Sequence, residues 1–246
     1  MLTKRDLERY DRQIVIPNFG REGQEKLKGV SVAVAGVGGL GSAVGIYLAV
    51  AGIGRILIID NDKIKVSNLN RQILYWDEDV GKNKVESAVE KIMKMNSDIK
   101  IIGIKEKIGR GNVTDLLKYV DAIVDCMDNF PSRYLLNDAS LKLGIPLFHG
   151  ACEGLEGRAT TIIPRKTPCL KCIYPRFPSH KKFPILGAVT GTIGTIQATE
   201  VVKFFVGMEP LLTNKLLVYD AQFLTYDLIK IERDPKCPSC GGLNED

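Results

Sequence analysis

Long apolar runs are missing from this 246-residue chain. None reaches the roughly 18 residues that a membrane-crossing helix needs, so an integral membrane protein is not expected. Residues 1–10 are charged and hold no apolar stretch of the kind a secretory leader carries. The reducing cytoplasm is therefore the expected compartment. Internal repeats and low-complexity linkers are absent too, and with 45% apolar residues the chain can bury a large core as one unit over 1–246. Charge of one sign is scarce in excess: 34 Lys and Arg against 29 Asp and Glu give a net +5. The basic residues are scattered, and the densest cluster, His180-Lys181-Lys182, is short, so no nucleic-acid partner is expected. There are only two histidines, and neither stands in a motif as a ready general base. No Gly-x-x-x-x-Gly-Lys-Ser/Thr loop is present to cradle a triphosphate.

What is present alternates between β and α patterns. Residues 30–35 form a continuous apolar strand that runs into the turn Gly36-Val37-Gly38-Gly39-Leu40-Gly41, and residues 40–51 a helix of small side chains. A strand at 55–59 ends at Asp60, a helix follows at 85–95, and strands are expected at 101–105 and 122–125. Pro131 opens another helix. Strands at 146–149 and 159–163, a long buried helix at 190–205, and β segments at 215–219 and 224–231 joined by a turn at 220–222 complete the chain. The fold class is α/β: a mixed, Rossmann-like sheet with a parallel first half and antiparallel additions.

Two Cys-x-x-Cys pairs, Cys169/Cys172 and Cys237/Cys240, lie far apart in the sequence. Each can offer two thiolates to a tetrahedral Zn²⁺, and together they close a four-sulfur shell with no position left for substrate, hence a structural site. Two disulfides are the alternative.

In a βαβ unit, Gly36-x-Gly38-x-x-Gly41 lets backbone approach a phosphate or ribose at a helix N-terminus, and Asp60 stands where ribose hydroxyls are bound. NAD and ATP sites share these parts. The sequence beyond them separates the two. Ser67-Asn68-Leu69-Asn70-Arg71-Gln72 and Lys82-Asn83-Lys84-Val85-Glu86 bring Arg71 and Lys84 from loops after the ribose-binding strand. A triphosphate needs such cations, whereas helix amides already hold a pyrophosphate.

These segments, with Arg9-Tyr10-Asp11-Arg12-Gln13, Asp125-Cys126-Met127-Asp128-Asn129, the cysteine pairs and Gly194-Thr195-Ile196-Gln197-Ala198-Thr199-Glu200, resemble the ubiquitin-activating-enzyme-like adenylyltransferases of the ThiF, MoeB and HesA type over nearly the whole chain. The resemblance implies ATP bound at Gly36, Gly38, Gly39 and Gly41, ribose on Asp60, and phosphates on Asn68, Arg71 and Lys84. It implies Mg²⁺ on Asp128 with Asn129 alongside. It also implies Arg12 reaching the partner's ATP across a homodimer. The segments then read as dimer-contacting helices (1–28), an ATP-binding half (29–150) and a substrate-binding half with zinc knuckles (151–246). For Asp128 the other role is capping the helix that Pro131 begins. Asp125 is read as closing its strand, and His149 as a pocket or core residue.

The implied reaction is attack of a substrate carboxylate on the α-phosphate of ATP, with Arg71, Lys84, Asp128-bound Mg²⁺ and Arg12 stabilising the transition state. The relatives' acyl group is the C-terminal glycine of a ubiquitin-like sulfur carrier, and many of them carry a cysteine in the loop corresponding to residues 173–186. Here that position falls at Phe183 or Pro184, and the loop has no cysteine. Cys126 and Cys152 are expected to be packing residues. Adenylation without an enzyme thioester follows, with a separate sulfur-donating or thiol acceptor protein downstream. A small-molecule carboxylate in cofactor assembly, such as the guanylylpyridinol of the [Fe]-hydrogenase cofactor, is the alternative substrate. An NAD-dependent oxidoreductase and a catalytically silent carrier-binding subunit are the alternatives of other classes.

Overall fold

Alternating apolar residues in short, β-branched segments make strands whose two faces enter two different cores. In β1 (Ser31–Ala35), Val32 and Val34 belong to one core and Ala33 and Ala35 to the other. β2 (Arg55–Ile59) and β4 (Ala122–Asp125) divide the same way, Ile56, Ile58 and Val124 on one side, Leu57, Ile59 and Ile123 on the other. Strands buried on both faces must be covered by helices, as parallel strands usually are. The computed structural model describes residues 1–176 and 184–242; within them the remaining strands are β3 (Lys100–Ile104), β5 (Leu147–Glu153), β6 (Glu156–Ile162), β7 (Lys215–Asp220) and β8 (Thr225–Lys230).

The helices are α1 (Lys4–Arg9), α2 (Asp11–Ile14), α3 (Gly20–Gly29), α4 (Gly39–Ala51), α5 (Lys84–Met95), α6 (Val113–Leu117), α7 (Phe130–Leu143), α8 (Leu170–Ile173) and α9 (Gly187–Val206). Side chains of α4, α5 and α9 build the first core, those of α6 and α7 the second. α1 starts with a capping box in which Thr3 and Asp6 satisfy each other's backbone N–H.

All eight strands form one sheet in the order β3-β2-β1-β4-β5-β6-β7-β8. Pairings from β3 to β5 are parallel and those from β5 to β8 antiparallel. The expected mixed sheet is therefore present. Element ends move by a few residues: β5 runs on to Glu153 and β6 starts at Glu156, because the two pair as a hairpin along their whole length, and α9 starts three residues earlier than expected, at Gly187. No helix among the described residues is long and apolar enough to cross a membrane.

Candidate active site

The chain leaves β1 towards β2 on one side and returns as β4 on the other, so the sheet order reverses at β1. Ligands of open α/β sheets bind outside the strand ends at such a point. Here the ends stand abreast: Ala35 is in register with Ile59 and Asp125, and Asp125 with His149. Above them opens a crevice of about 850 Å³, lined by Gly36, Gly38, Gly39, Asp60, Arg71, Lys84, Asp128 and Asn129 among others. That volume is in the range of small-molecule and cofactor sites.

The glycine turn is shaped by close approach. Gly36 has φ +89°, and a Cβ on Gly41 would lie 2.0 Å from the Gly36 carbonyl. Gly41 is thus a packing contact between α4 and β1; it does not line the crevice. Asp60 Oδ2 accepts from the Val37 N–H at 3.0 Å, and its Oδ1 from the Asp62 N–H at 2.8 Å. The carboxylate is fastened to the turn with lone pairs left for an incoming hydroxyl.

Lys84 is not a loop residue but the first of α5, and it is only 6% exposed. Its Nζ lies 2.8 Å from Asp62 Oδ2 and 4.0 Å from Asp60 Oδ2. Arg71 Nη1 donates to the Ser67 carbonyl at 2.8 Å and to Asn70 Oδ1 at 2.9 Å. Asn68 does not line the crevice; its Oδ1 accepts from the Lys65 N–H at 3.0 Å and closes a single 3-10 turn, Val66–Asn68. The loop that carries these residues is anchored by Asp79, which binds the Trp76 N–H, Lys82 and the buried Lys91. Burial opposes its charge, but Lys91, the Trp76 N–H and Lys82 hold the Asp79 carboxyl down to about 2.

On the other side of β1, Asn129 caps α7: its Oδ1 accepts from the Ser132 N–H at 2.9 Å. Asp128 therefore does not cap the helix. It faces the crevice, with Oδ1 accepting from Asn129 Nδ2 at 3.1 Å. A crevice-facing carboxylate at the edge of a phosphate site suits Mg²⁺, which takes one or two carboxylates together with phosphate oxygens.

Asp125 does more than end its strand. Its Oδ2 sits 2.7 Å from His149 Nδ1, both side chains fully buried, and its Oδ1 accepts from the Met127 N–H at 3.1 Å. Burial outweighs Asp125 and pushes the His149 imidazole down, so it is neutral. Cys126 is buried and its thiol is pushed well up by burial. Cys152 packs against the first core, as expected, and like Cys126 also borders the crevice; its Sγ lies 3.8 Å from the Val189 carbonyl, and burial pushes the thiol up to about 12. A thiol so placed stays protonated and is a poor nucleophile. Arg12 is exposed on α2 and does not line this crevice. Of the loop 173–186, Phe183 and the basic cluster at 180–182 lie outside the described residues; Pro184 lies within them.

Lining residues that sequence reasoning did not single out are Arg133, Arg158, Tyr174 and Thr190. Arg133 alone left a signal, a cation four places after the Asn129 cap, facing back over the start of its own helix.

The four cysteines gather away from the crevice. Their sulfurs all lie within 4.8 Å of one another, with Cys169 to Cys237 at 3.6 Å and Cys172 to Cys240 at 3.4 Å. None is in a disulfide, and tetrahedral Zn–S bonds of about 2.3 Å place sulfurs about 3.8 Å apart. Burial pushes the Cys169 and Cys172 thiols up, the latter to about 11; a divalent cation would reverse that by binding the thiolates. The donor set and spacing fit zinc.

Residues 10–239 match the ThiF family. The chain is 39% identical over 246 residues to the SAMP-activating enzyme E1 of Haloferax volcanii, covering 98% of this chain and 91% of that protein. It is 37% identical over 250 residues to the sulfur carrier protein adenylyltransferase of Thermus thermophilus, covering 97% and 92%. Among solved structures, that of E. coli MccB with ATP superposes with a TM-score of 0.80 at 31% identity, over 89% of this chain and 68% of the other.

Proposed function

Because this chain belongs to the ThiF family and is an ATP-dependent adenylyltransferase, we propose that the carboxylate it activates is the C-terminal glycine of a ubiquitin-like sulfur carrier. The observation that carries this reading is a continuous path. The crevice shares Glu153, Glu156 and Arg158 with a second groove, which Leu155, Asp220 and Gln222 extend to the β7–β8 turn. An extended chain end can lie along such a path, whereas a small acid needs only the inner crevice. The relatives' names, an E1 and a sulfur carrier protein adenylyltransferase, support the same substrate class.

In this reading Asp60 takes the ribose hydroxyls, and Lys84 exchanges Asp62 for phosphate oxygens, leaving Asp62, whose side chain is 62% exposed, to water. Arg71 turns its fork from the Ser67 carbonyl to the phosphates. Mg²⁺ held through Asp128 would offset charge on the leaving pyrophosphate. One carboxylate oxygen of the carrier attacks the α-phosphorus, a P–O bond forms, the bond to the β-phosphate oxygen breaks, and pyrophosphate departs. A carboxylate is ionised at neutral pH and needs no base, and among the described residues no histidine lines the crevice.

The acyl-adenylate then passes to an external sulfur nucleophile without forming an enzyme thioester, since the Cys152 and Cys126 thiols are held protonated by burial. The active unit is a homodimer in which Arg12 serves the partner's crevice. α2 is seated on the end of α4 by the bond from Gln13 to the Ala51 carbonyl, 2.9 Å, which groups Arg12 with the exposed Val15, Ile16, Tyr47 and Val50. The reduced cysteine cluster suits the cytoplasm.

ATP–pyrophosphate exchange, screened against carrier tails ending in Gly-Gly and against small carboxylic acids, tests the substrate; exchange with small acids alone would refute it. Intact mass spectrometry after turnover should show no adduct on the chain. A thiol-labile adduct abolished by Cys152→Ala would make that residue a nucleophile.

A further inference from the structure

Arg133 is a buried cation that the fold leaves uncompensated. It is 6% exposed, lies in the first turns of α7 and lines the crevice. Its Nη2 donates to the Met127 carbonyl at 2.6 Å, while Nε and Nη1 have no hydrogen-bond partner. Its guanidinium carbon lies over the Phe130 ring, 5.6 Å from the ring centre. No carboxylate pairs with it among the described residues. Tyr174, whose hydroxyl is buried, lines the same wall.

A buried guanidinium with idle donors is costly unless something binds it, and what its planar donors match is an oxyanion. Two anions could arrive: a phosphate of ATP or the carboxylate of the acyl substrate. The topology separates them. The cations Arg71 and Lys84 follow β2, on one side of β1. Arg133 follows β4, on the other side, next to β5 and the hairpin that leads to the outer groove.

We propose that Arg133, with Tyr174 beside it, is the subsite that receives the carboxylate of the acyl substrate at the inner end of the entry path. The assignment rests on the adenylation reading above. One carboxylate oxygen is held by the guanidinium, and the other is left free for the α-phosphorus. The bond to the Met127 carbonyl ties this grip to the loop that carries Asp128, so substrate and metal carboxylate are positioned by one side chain.

The test is a binding titration on the zinc-containing protein loaded with Mg²⁺ and the non-hydrolysable ATP analogue AMPCPP. The probes are a synthetic peptide ending in Gly-Gly with a free carboxylate and the same peptide amidated. Wild type should prefer the carboxylate by about tenfold or more, as a charge-assisted hydrogen bond implies. Arg133→Gln should abolish that preference while changing AMPCPP affinity by less than about twofold. Arg133→Lys keeps the charge and a donor for the Met127 carbonyl and should be intermediate. If the Gln variant does not fold, the Lys variant decides: a fall in preference supports the subsite and an unchanged preference overturns it. A preference intact in Arg133→Gln, absent in wild type, or replaced by a loss of AMPCPP affinity would also overturn the proposal, the last making Arg133 a phosphate ligand. Failure of the adenylation reading looks different, since wild type would then bind AMPCPP yet show no ATP–pyrophosphate exchange with any carboxylate.

Discussion

The two halves of the sheet are stabilised by different means. β1, β2 and β4 are buried on both faces between two helical cores, and they carry the crevice on their ends. β8, at the far edge, has all six residues exposed, with Leu228 and Ile229 each more than half exposed. An edge strand covered on neither face contributes little burial energy. Next to that half, in chain order, stand the four cysteines, which tie α8 to the segment following β8. The half that carries the nucleotide-type crevice is held by apolar packing, and the other half is bordered at its chain end by a four-cysteine cluster whose spacing fits zinc.

The sharpest way to break that contrast is to remove the metal. Elemental analysis should find about one zinc per chain, and chelation should destabilise the protein by about 4 kcal/mol if free zinc had stood a thousandfold above its dissociation constant. Hydrogen exchange should show protection lost first around β8 and residues 233–240, while β1 and β2 stay protected. Uniform loss across both halves would show that the site staples the whole fold.

Next in size is chemistry without stability. Lys84→Ala or Asp128→Ala should lower ATP–pyrophosphate exchange by about 10²- to 10³-fold, as loss of one transition-state charge partner does, with thermal unfolding little changed for Asp128→Ala. Exchange that is unaffected in both variants would remove these residues from the reaction.

A smaller effect compares the same chemical change in each half. Ile58→Val, at a site with no exposure, should cost about 0.5–1.5 kcal/mol. Ile229→Val on β8 should stay within about 0.5 kcal/mol of wild type. Denaturant unfolding of the two variants measures the difference, and equal costs would mean that β8 is covered in solution.

The smallest effect is one of pH. The folded-state imidazole of His149 titrates below its ordinary value because of burial. Below about pH 6.5 the unfolded chain binds a proton that the folded chain resists. His149 thus contributes stability in full above that pH, and the contribution fades as pH falls towards the depressed folded value. His149→Gln, which keeps a donor for Asp125, should flatten the stability profile in that window while leaving the lower window, set by Asp79 and Asp6 at about 2, in place. An unchanged slope between pH 6.5 and 5 would show that the His149 proton is not linked to folding.

Much of the fold was legible because its signals are local. The apolar runs at β1, β2 and β4 and the turn at Gly36 each depend on a few adjacent residues. Reading stopped where partners lie far apart. Asp125 reads as a strand end, yet its partner His149 is 24 residues away. Asn129 and Asp128 are adjacent and chemically similar, and only backbone geometry assigns the cap to one and the crevice to the other. Cys152 looks like a packing residue beside Gly150 and does pack against the first core, and only the β5–β6 hairpin, which continues past it, brings it to the crevice wall as well.

The sequence by itself determined the class of sheet, the family, and the glycine turn, Asp60, Lys84 and cysteine pairs that the fold gathers into a crevice and a cluster, because motif spacing on a known strand–turn–helix path leaves little freedom. Tertiary structure alone decided which charges are paired. Lys84 rests on Asp62 at 2.8 Å, while Arg133 keeps Nε and Nη1 without a partner. The physical reason is that pairing and burial depend on what the sheet order brings side by side, and the strand that follows β1 in the chain is not on the same side of it as β4, the strand that leads into the helix carrying Arg133.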